Sequence, residues 1–146
     1  MKVAIGSDHA GFVHKEPVKK RLEEKGFEVI DIGTDSEEST DYPIYAFNVA
    51  KKVQREEVDY GVLICGTGIG MSIAANKVKG VRAAACQTDL VAKTTRQHNH
   101  ANVICFGGRT NSKEEVLRFT DLFFDSIESK EKRHVRRVRR IKEYEG

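Results

Sequence analysis

The sequence predicts a single three-layer α/β/α domain, residues 1–146, built on a five-stranded parallel sheet of the Rossmann-like, doubly wound kind. Five short, β-branched apolar runs recur along the 146 residues: Val3–Gly6, Phe27–Ile32, Tyr60–Cys65, Val81–Cys86 and Asn102–Phe106. They lack period-2 alternation, which suits strands buried on both faces. Helical patterns separate them, and strands alternating with helices imply parallel crossovers with helices on both sides of the sheet.

Each element has a local justification. The helical pattern over 12–25 ends at Gly26, a residue that adopts the left-handed conformation of a helix stop. The polar stretch Gly33–Asp41 reads as a loop bordering a site. Pro43 opens a helix over 43–57, because proline in the first turn forfeits no helical hydrogen bond. The run Tyr60–Cys65 meets the turn Gly66-Thr67-Gly68-Ile69-Gly70, and a helix-like segment, Met71–Lys77, follows. Ser112 and Glu115 have capping-box spacing ahead of Val116, Leu117, Thr120, Phe123, Phe124 and Ile127, an apolar face directed at the sheet. A last, basic helix, about 130–143, begins near Ser129 and has a thin stripe, Val135, Val138 and Ile141. So narrow a stripe on a charged helix predicts packing against a partner subunit.

Bulk properties exclude several classes. The length suits one domain with its own core. No apolar run is long enough for a membrane span and no leader precedes the first strand, so a soluble, cytoplasmic protein without a membrane partner is expected. Three cysteines at 65, 86 and 105 fit neither a zinc site nor a secreted disulfide scaffold. The net charge is +3, yet residues 130–142 carry eight Lys or Arg against Glu131 alone, so the rest of the chain stands at −4. The basic character is local.

Ligands of doubly wound sheets bind beyond the carboxyl ends of the strands, where Ser7-Asp8-His9, Cys65–Gly70 and Phe106–Arg109 are expected to meet. Cys65 faces a helix start there. Unpaired N–H groups and the helix dipole favour a thiolate and a nearby oxyanion, though a buried cysteine can also simply pack. Gly66-Thr67-Gly68-Ile69-Gly70 has the opening of a dinucleotide fingerprint, but Met71 stands where its third glycine belongs.

Other motifs have two readings. Asp8 suits sugar hydroxyls or a local cap. His98-Asn99-His100 has the His-x-His pattern of a metal site but no evident third ligand, and Gln97 and Asn99 suit hydroxyls better. Arg133 and Arg137, one helical turn apart, are able to clamp a phosphate; the same basic helix also suits a solvated face or nucleic acid.

Gly6-Ser7-Asp8-His9-Ala10-Gly11-Phe12, Asp41-Tyr42-Pro43, Ile64–Gly70, Ala74-Ala75-Asn76-Lys77, Arg96-Gln97-His98-Asn99 and Arg133-His134-Val135-Arg136-Arg137 together closely resemble type B ribose-5-phosphate isomerase, from Met1 to about Ile141. The same superfamily includes enzymes of galactose 6-phosphate and allose 6-phosphate. The resemblance implies interconversion of D-ribose 5-phosphate and D-ribulose 5-phosphate, a step of the non-oxidative pentose phosphate pathway, through a cis-enediolate and without metal or organic cofactor.

By the same resemblance Cys65 is the base. A second branch of the family places a glutamate at the position of Met71, and methionine has no proton to exchange. His98 matches the residue that opens the sugar ring, with Thr67 and Asp8 helping at the hydroxyls. His9, Tyr42 and Asn99 line the sugar and phosphate pocket, Gly66, Gly68, Ile69 and Gly70 supply backbone toward the enediolate, and Arg109, Arg133 and Arg137 hold the phosphate. The family shares each site between two subunits, which implies a homodimer and leaves its pairing into a tetramer open. The charged tail then serves the substrate, not nucleic acid. His100 stands where many relatives have an acid, next to His98. Six-carbon sugar phosphates remain the near alternative, and a non-catalytic nucleotide or nucleic-acid binder the distant one.

Overall fold

A computed structural model describes residues 1–146. The chain runs β1 (Lys2–Ser7), α1 (Phe12–Glu24), β2 (Glu28–Asp31), α2 (Tyr42–Gln54), β3 (Tyr60–Cys65), α3 (Ile69–Ala75), β4 (Ala83–Ala85), α4 (Asp89–Gln97), β5 (Val103–Gly107), α5 (Lys113–Asp125) and α6 (Lys132–Glu145). The five strands form one parallel sheet in the order β2-β1-β3-β5-β4. No helix is long and apolar enough to cross a membrane.

The expected two-sided burial is met. Ile5, Val62, Ile64, Ile104 and Phe106 point to one face and pack with Val18 and Leu22 of α1, Ala92 of α4, and Val116, Phe119 and Phe123 of α5. Ala4, Leu63, Cys65, Val103 and Cys105 point to the other, against Ala46, Val49 and Ala50 of α2 and Met71, Ala74 and Ala75 of α3. Both sets are almost wholly withdrawn from water, at about 25 cal/mol for each Å² of apolar surface removed. The sheet is thus rigid where its strands end, and that rigidity positions the loops above.

Helix ends carry the expected chemistry. Ser112 Oγ accepts from Glu115 N–H at 3.1 Å while Glu115 Oε1 accepts from Ser112 N–H at 2.9 Å, a complete capping box. Pro43 lies in the first turn of α2. Several boundaries differ from expectation by one to three residues, α2 ending at Gln54 and α3 running from Ile69 to Ala75, and two have a visible cause. The fourth strand is only Ala83–Ala85, because Asn102 Oδ1 accepts from Arg82 N–H at 2.8 Å and holds that residue outside the ladder. The last helix starts at Lys132, not Ser129, since Ser129 N–H donates to Gln97 O at 2.9 Å instead.

The stripe of that helix is only partly used within the chain. α6 buries His134 and Val138 against its own chain, whereas Val135 and Ile141 of the stripe stay about half exposed. A helix that buries only two side chains is lightly attached.

Candidate active site

β1, β3 and β5 all end at the same edge, and the turns that follow them interlock. Gly108 N–H donates to Cys65 O at 2.7 Å, Arg109 N–H to Gly66 O at 2.9 Å, and Asp8 N–H to Ile64 O at 3.1 Å. Cys65, the last residue of β3, is 5% exposed, and Gly68 N–H donates to its sulfur at 3.2 Å. Gly68 makes this possible with φ of +81°, while Phe106 C and Cys105 O lie 3.0 and 3.1 Å from where a Cβ would stand. Glycine alone fits both constraints.

Other expected groups stand on the turns of the same edge. Thr67 Oγ1 accepts from Ile69 N–H at 3.2 Å, which leaves its hydroxyl hydrogen free to donate. The Arg109 side chain lies over Gly66, with Cδ and Nη1 3.6 Å from the place of a Cβ. The Tyr42 ring, at the start of α2, closes on Gly70: Cε1 and Cζ are 2.7 Å from the place of a Cβ there. Ile69 is half exposed beside them.

Asp8 makes the local turn and keeps one carboxylate oxygen clear of it. It is 5% exposed, and Oδ1 accepts from Ala10 N–H at 2.9 Å and Gly11 N–H at 3.1 Å, the local turn. Its second carboxylate oxygen has no protein donor. His9 Nδ1 accepts from Thr40 N–H at 3.1 Å, so its Nε2 carries the hydrogen. The loop that brings Thr40 is tied down by Lys15, a 4% exposed ammonium that donates to Thr34 O and pairs with Asp31 Oδ1 at 3.1 Å. Lys15, Thr40 and Gln87, whose Nε2 donates to Thr67 O at 3.2 Å, escaped the sequence reading. None lies in a motif, and only the folded contacts reveal them.

The other expected residues lie elsewhere. His98 caps the C-terminus of α4, which descends from the carboxyl edge to the amino edge of the sheet. There Arg96 Nη2 donates to the hydroxyl of Tyr60, the first residue of β3. From Tyr60 to Cys65 the strand climbs about 16 Å at about 3.3 Å per residue. Asn99 follows His98 and lines a cleft of about 570 Å³ with Thr95, Ile141 and Tyr144. Arg133 and Arg137 stand on α6, whose His134 lies against His98, and Arg133 pairs with Glu131 at 2.9 Å. A second cleft, of about 540 Å³, opens beneath Tyr60, and neither contains Cys65.

His100 turns away from His98. With φ of +50°, its Nε2–H donates to Ser129 O at 3.0 Å, and its Nδ1 stands 3.7 Å from Glu128. Met71, at the position of the alternative base, is fully buried in the core.

The model of the family described as Ribose/Galactose Isomerase matches residues 3–141. The chain belongs to that family. Its relatives include ribose-5-phosphate isomerase B of Escherichia coli, 47% identical over 96% of this chain and 93% of that protein. A solved type B ribose 5-phosphate isomerase of Trypanosoma brucei superposes with a TM-score of 0.94 at 48% identity, covering 98% of this chain and 97% of the other. The family member from Mycoplasma genitalium, solved with bound ribulose 5-phosphate, gives a TM-score of 0.93 at 40% identity, over 99% and 95% of the two chains. The three-layer fold and five-stranded sheet are those of this isomerase family.

Proposed function

We propose that this protein interconverts D-ribose 5-phosphate and D-ribulose 5-phosphate in the cytoplasm, as an aldose-ketose isomerase of the non-oxidative pentose phosphate pathway. The observation that carries the reading is the Cys65 sulfur at the end of β3, with Gly68 N–H directed at it and with Thr67, Asp8, His9 and Arg109 on the turns that leave the same sheet edge. The names and near-complete coverage of the relatives support the same substrate.

Cys65 as thiolate removes the hydrogen on C2 of the open aldose; the electron pair forms the C1–C2 double bond and O1 becomes anionic. The thiol returns that proton to C1, and the hydroxyl proton of O2 passes to O1, leaving a ketone at C2. The enediolate between these steps carries its charge on oxygen, where backbone N–H groups of Gly66, Gly68, Ile69 and Gly70 stabilise it more than the neutral sugar. Thr67 and Asp8 serve the hydroxyls that exchange protons. No step requires a metal or an organic cofactor.

The distance of His98, Asn99, Arg133 and Arg137 from Cys65 supports a homodimer in which each thiol works with the ring-opening histidine and the phosphate arginines of the partner. Arg109, His9 and Tyr42 complete the phosphate and sugar pocket from the thiol's own chain. Whether two such dimers pair is read from mass in solution.

The deciding assay compares kcat/KM for ribose 5-phosphate with allose 6-phosphate and galactose 6-phosphate. The expected result is a preference of at least tenfold for the pentose. Equal or better use of a six-carbon sugar overturns the substrate, and loss of no activity in Cys65→Ala overturns the base.

A further inference from the structure

The His98 imidazole does not stand alone. The ring of His134, from α6, lies on it with centroids 4.2 Å apart and planes inclined by 24°. His134 is 5% exposed, and both of its nitrogens are used: Nδ1 is 2.9 Å from Ser129 Oγ, and Nε2 accepts from Arg133 Nε at 3.3 Å. An acceptor at Nε2 places the hydrogen on Nδ1, so the tautomer is set and the ring is neutral. Burial, and then the neighbours His98 and Arg133, hold its ionisation below the ordinary histidine range, which agrees with the bonding.

Ser129 makes this ring part of a frame. Its N–H donates to Gln97 O at 2.9 Å, its carbonyl oxygen bonds His100 Nε2 at 3.0 Å, and its hydroxyl holds His134. Gln97 and His100 flank His98 in sequence, so one serine grips the chain on both sides of His98 and also fixes the ring stacked on it. His98 itself makes no side-chain hydrogen bond, so within one chain the stack is the contact that restrains its imidazole.

We propose that His134, set by Ser129, is the positioning residue for His98: its neutral ring holds the His98 imidazole in the attitude needed to pass a proton to the ring oxygen of the closed sugar. The inference rests on the ring-opening role proposed for His98. A well-placed general acid or base contributes about 10²–10⁴-fold, and loss of its orientation forfeits part of that.

Sugar chemistry supplies a readout that a structural role would not move. Ribose 5-phosphate closes through O4 on C1 and must be opened. Ribulose 5-phosphate has its O5 esterified and cannot close a five-membered ring on C2, so it enters already open. His134→Ala should lower kcat from ribose 5-phosphate about tenfold and kcat from ribulose 5-phosphate less than threefold. His134→Phe, which keeps a flat ring and the volume, should stay within about threefold of wild type in both directions. The double variant with His98→Asn should be no slower than His98→Asn alone, because the two residues act as a unit.

Equal losses in both directions for His134→Ala overturn the proposal, as does a Phe variant as slow as the Ala variant, or a further tenfold loss in the double variant. A rise in KM of the same size for both sugars, with kcat kept, assigns His134 to Arg133 and the phosphate instead and also overturns it. If His98→Asn alone keeps wild-type kcat from ribose 5-phosphate, the ring-opening reading falls first, visibly and before His134 is changed.

Discussion

Cys65 ends β3 at the carboxyl edge of the sheet, while His98 ends α4 at the amino edge, the length of a strand away. A proton cannot be handed between two groups so placed around one five-carbon sugar. The proposed dimer resolves this, and it has a sharp test. Chains with Cys65→Ala, which removes the base, and with His98→Asn, which slows ring opening to a small residual rate, are unfolded together and refolded as a mixture. With sites shared across a two-fold axis, half the dimers are mixed and each has one intact site, so about a quarter of wild-type activity returns. Sites contained within one chain would return none.

The three thiols should differ sharply toward iodoacetamide in the native protein. Burial pushes Cys86 up to about 12 and Cys105 well above the ordinary thiol range, so both stay protonated and enclosed at pH 8. Cys65 ends β3 at the carboxyl edge of the sheet, 5% exposed, with an N–H on its sulfur. Mass spectrometry should find one carbamidomethyl group, on Cys65, appearing in step with loss of turnover. Labelling of Cys86 or Cys105 before Cys65 contradicts this ordering.

Gly70 and Tyr42 give a prediction about shape. A methyl group at 70 would meet Cε1 and Cζ of Tyr42 at 2.7 Å, so Gly70→Ala must push the ring off the site. The fold has room to absorb this, because Tyr42 is 38% exposed. Thermal midpoint should fall by no more than a few degrees, and kcat/KM by about tenfold or more. Gly70→Ala in a Tyr42→Ala background should recover the steric part of the loss.

Stability should weaken on the acid side. His134 ionises below its ordinary value of 6.5 in the folded protein, so between that value and its folded one the unfolded chain binds more protons. Its contribution is complete above pH 6.5 and is lost as pH falls through the folded value. Urea midpoints measured from pH 7.5 to 5 should decline more steeply in wild type than in His134→Phe. Parallel declines would mean that the titration lies elsewhere.

Much of this molecule was legible beforehand, for physical reasons that can be traced. Tyr60–Cys65 was read to the residue because a strand covered on both faces must be apolar throughout. The meeting of Asp8, Cys65 and Arg109 followed from parallel strands ending together. The run 81–86 reads longer than the strand because Val81 and Ala83–Cys86 are apolar on either side of Arg82, yet Asn102 bonds the Arg82 backbone N–H and the ladder begins at Ala83. His134 was passed over inside its own motif: its neighbours Arg133 and Arg137 are charged and demand an explanation, whereas a stacking partner for His98 is visible only after two helices are docked.

α6 keeps its place on the chain through His134 and Val138, and one of these anchors is the ring lying on His98. In the proposed site the same helix offers Arg133 and Arg137 to the phosphate. The arginines that would grip the phosphate and the ring that steadies His98 therefore share one short helix. A chain whose helix has swung loose would lose its hold on the phosphate and its aim at the ring oxygen in a single event.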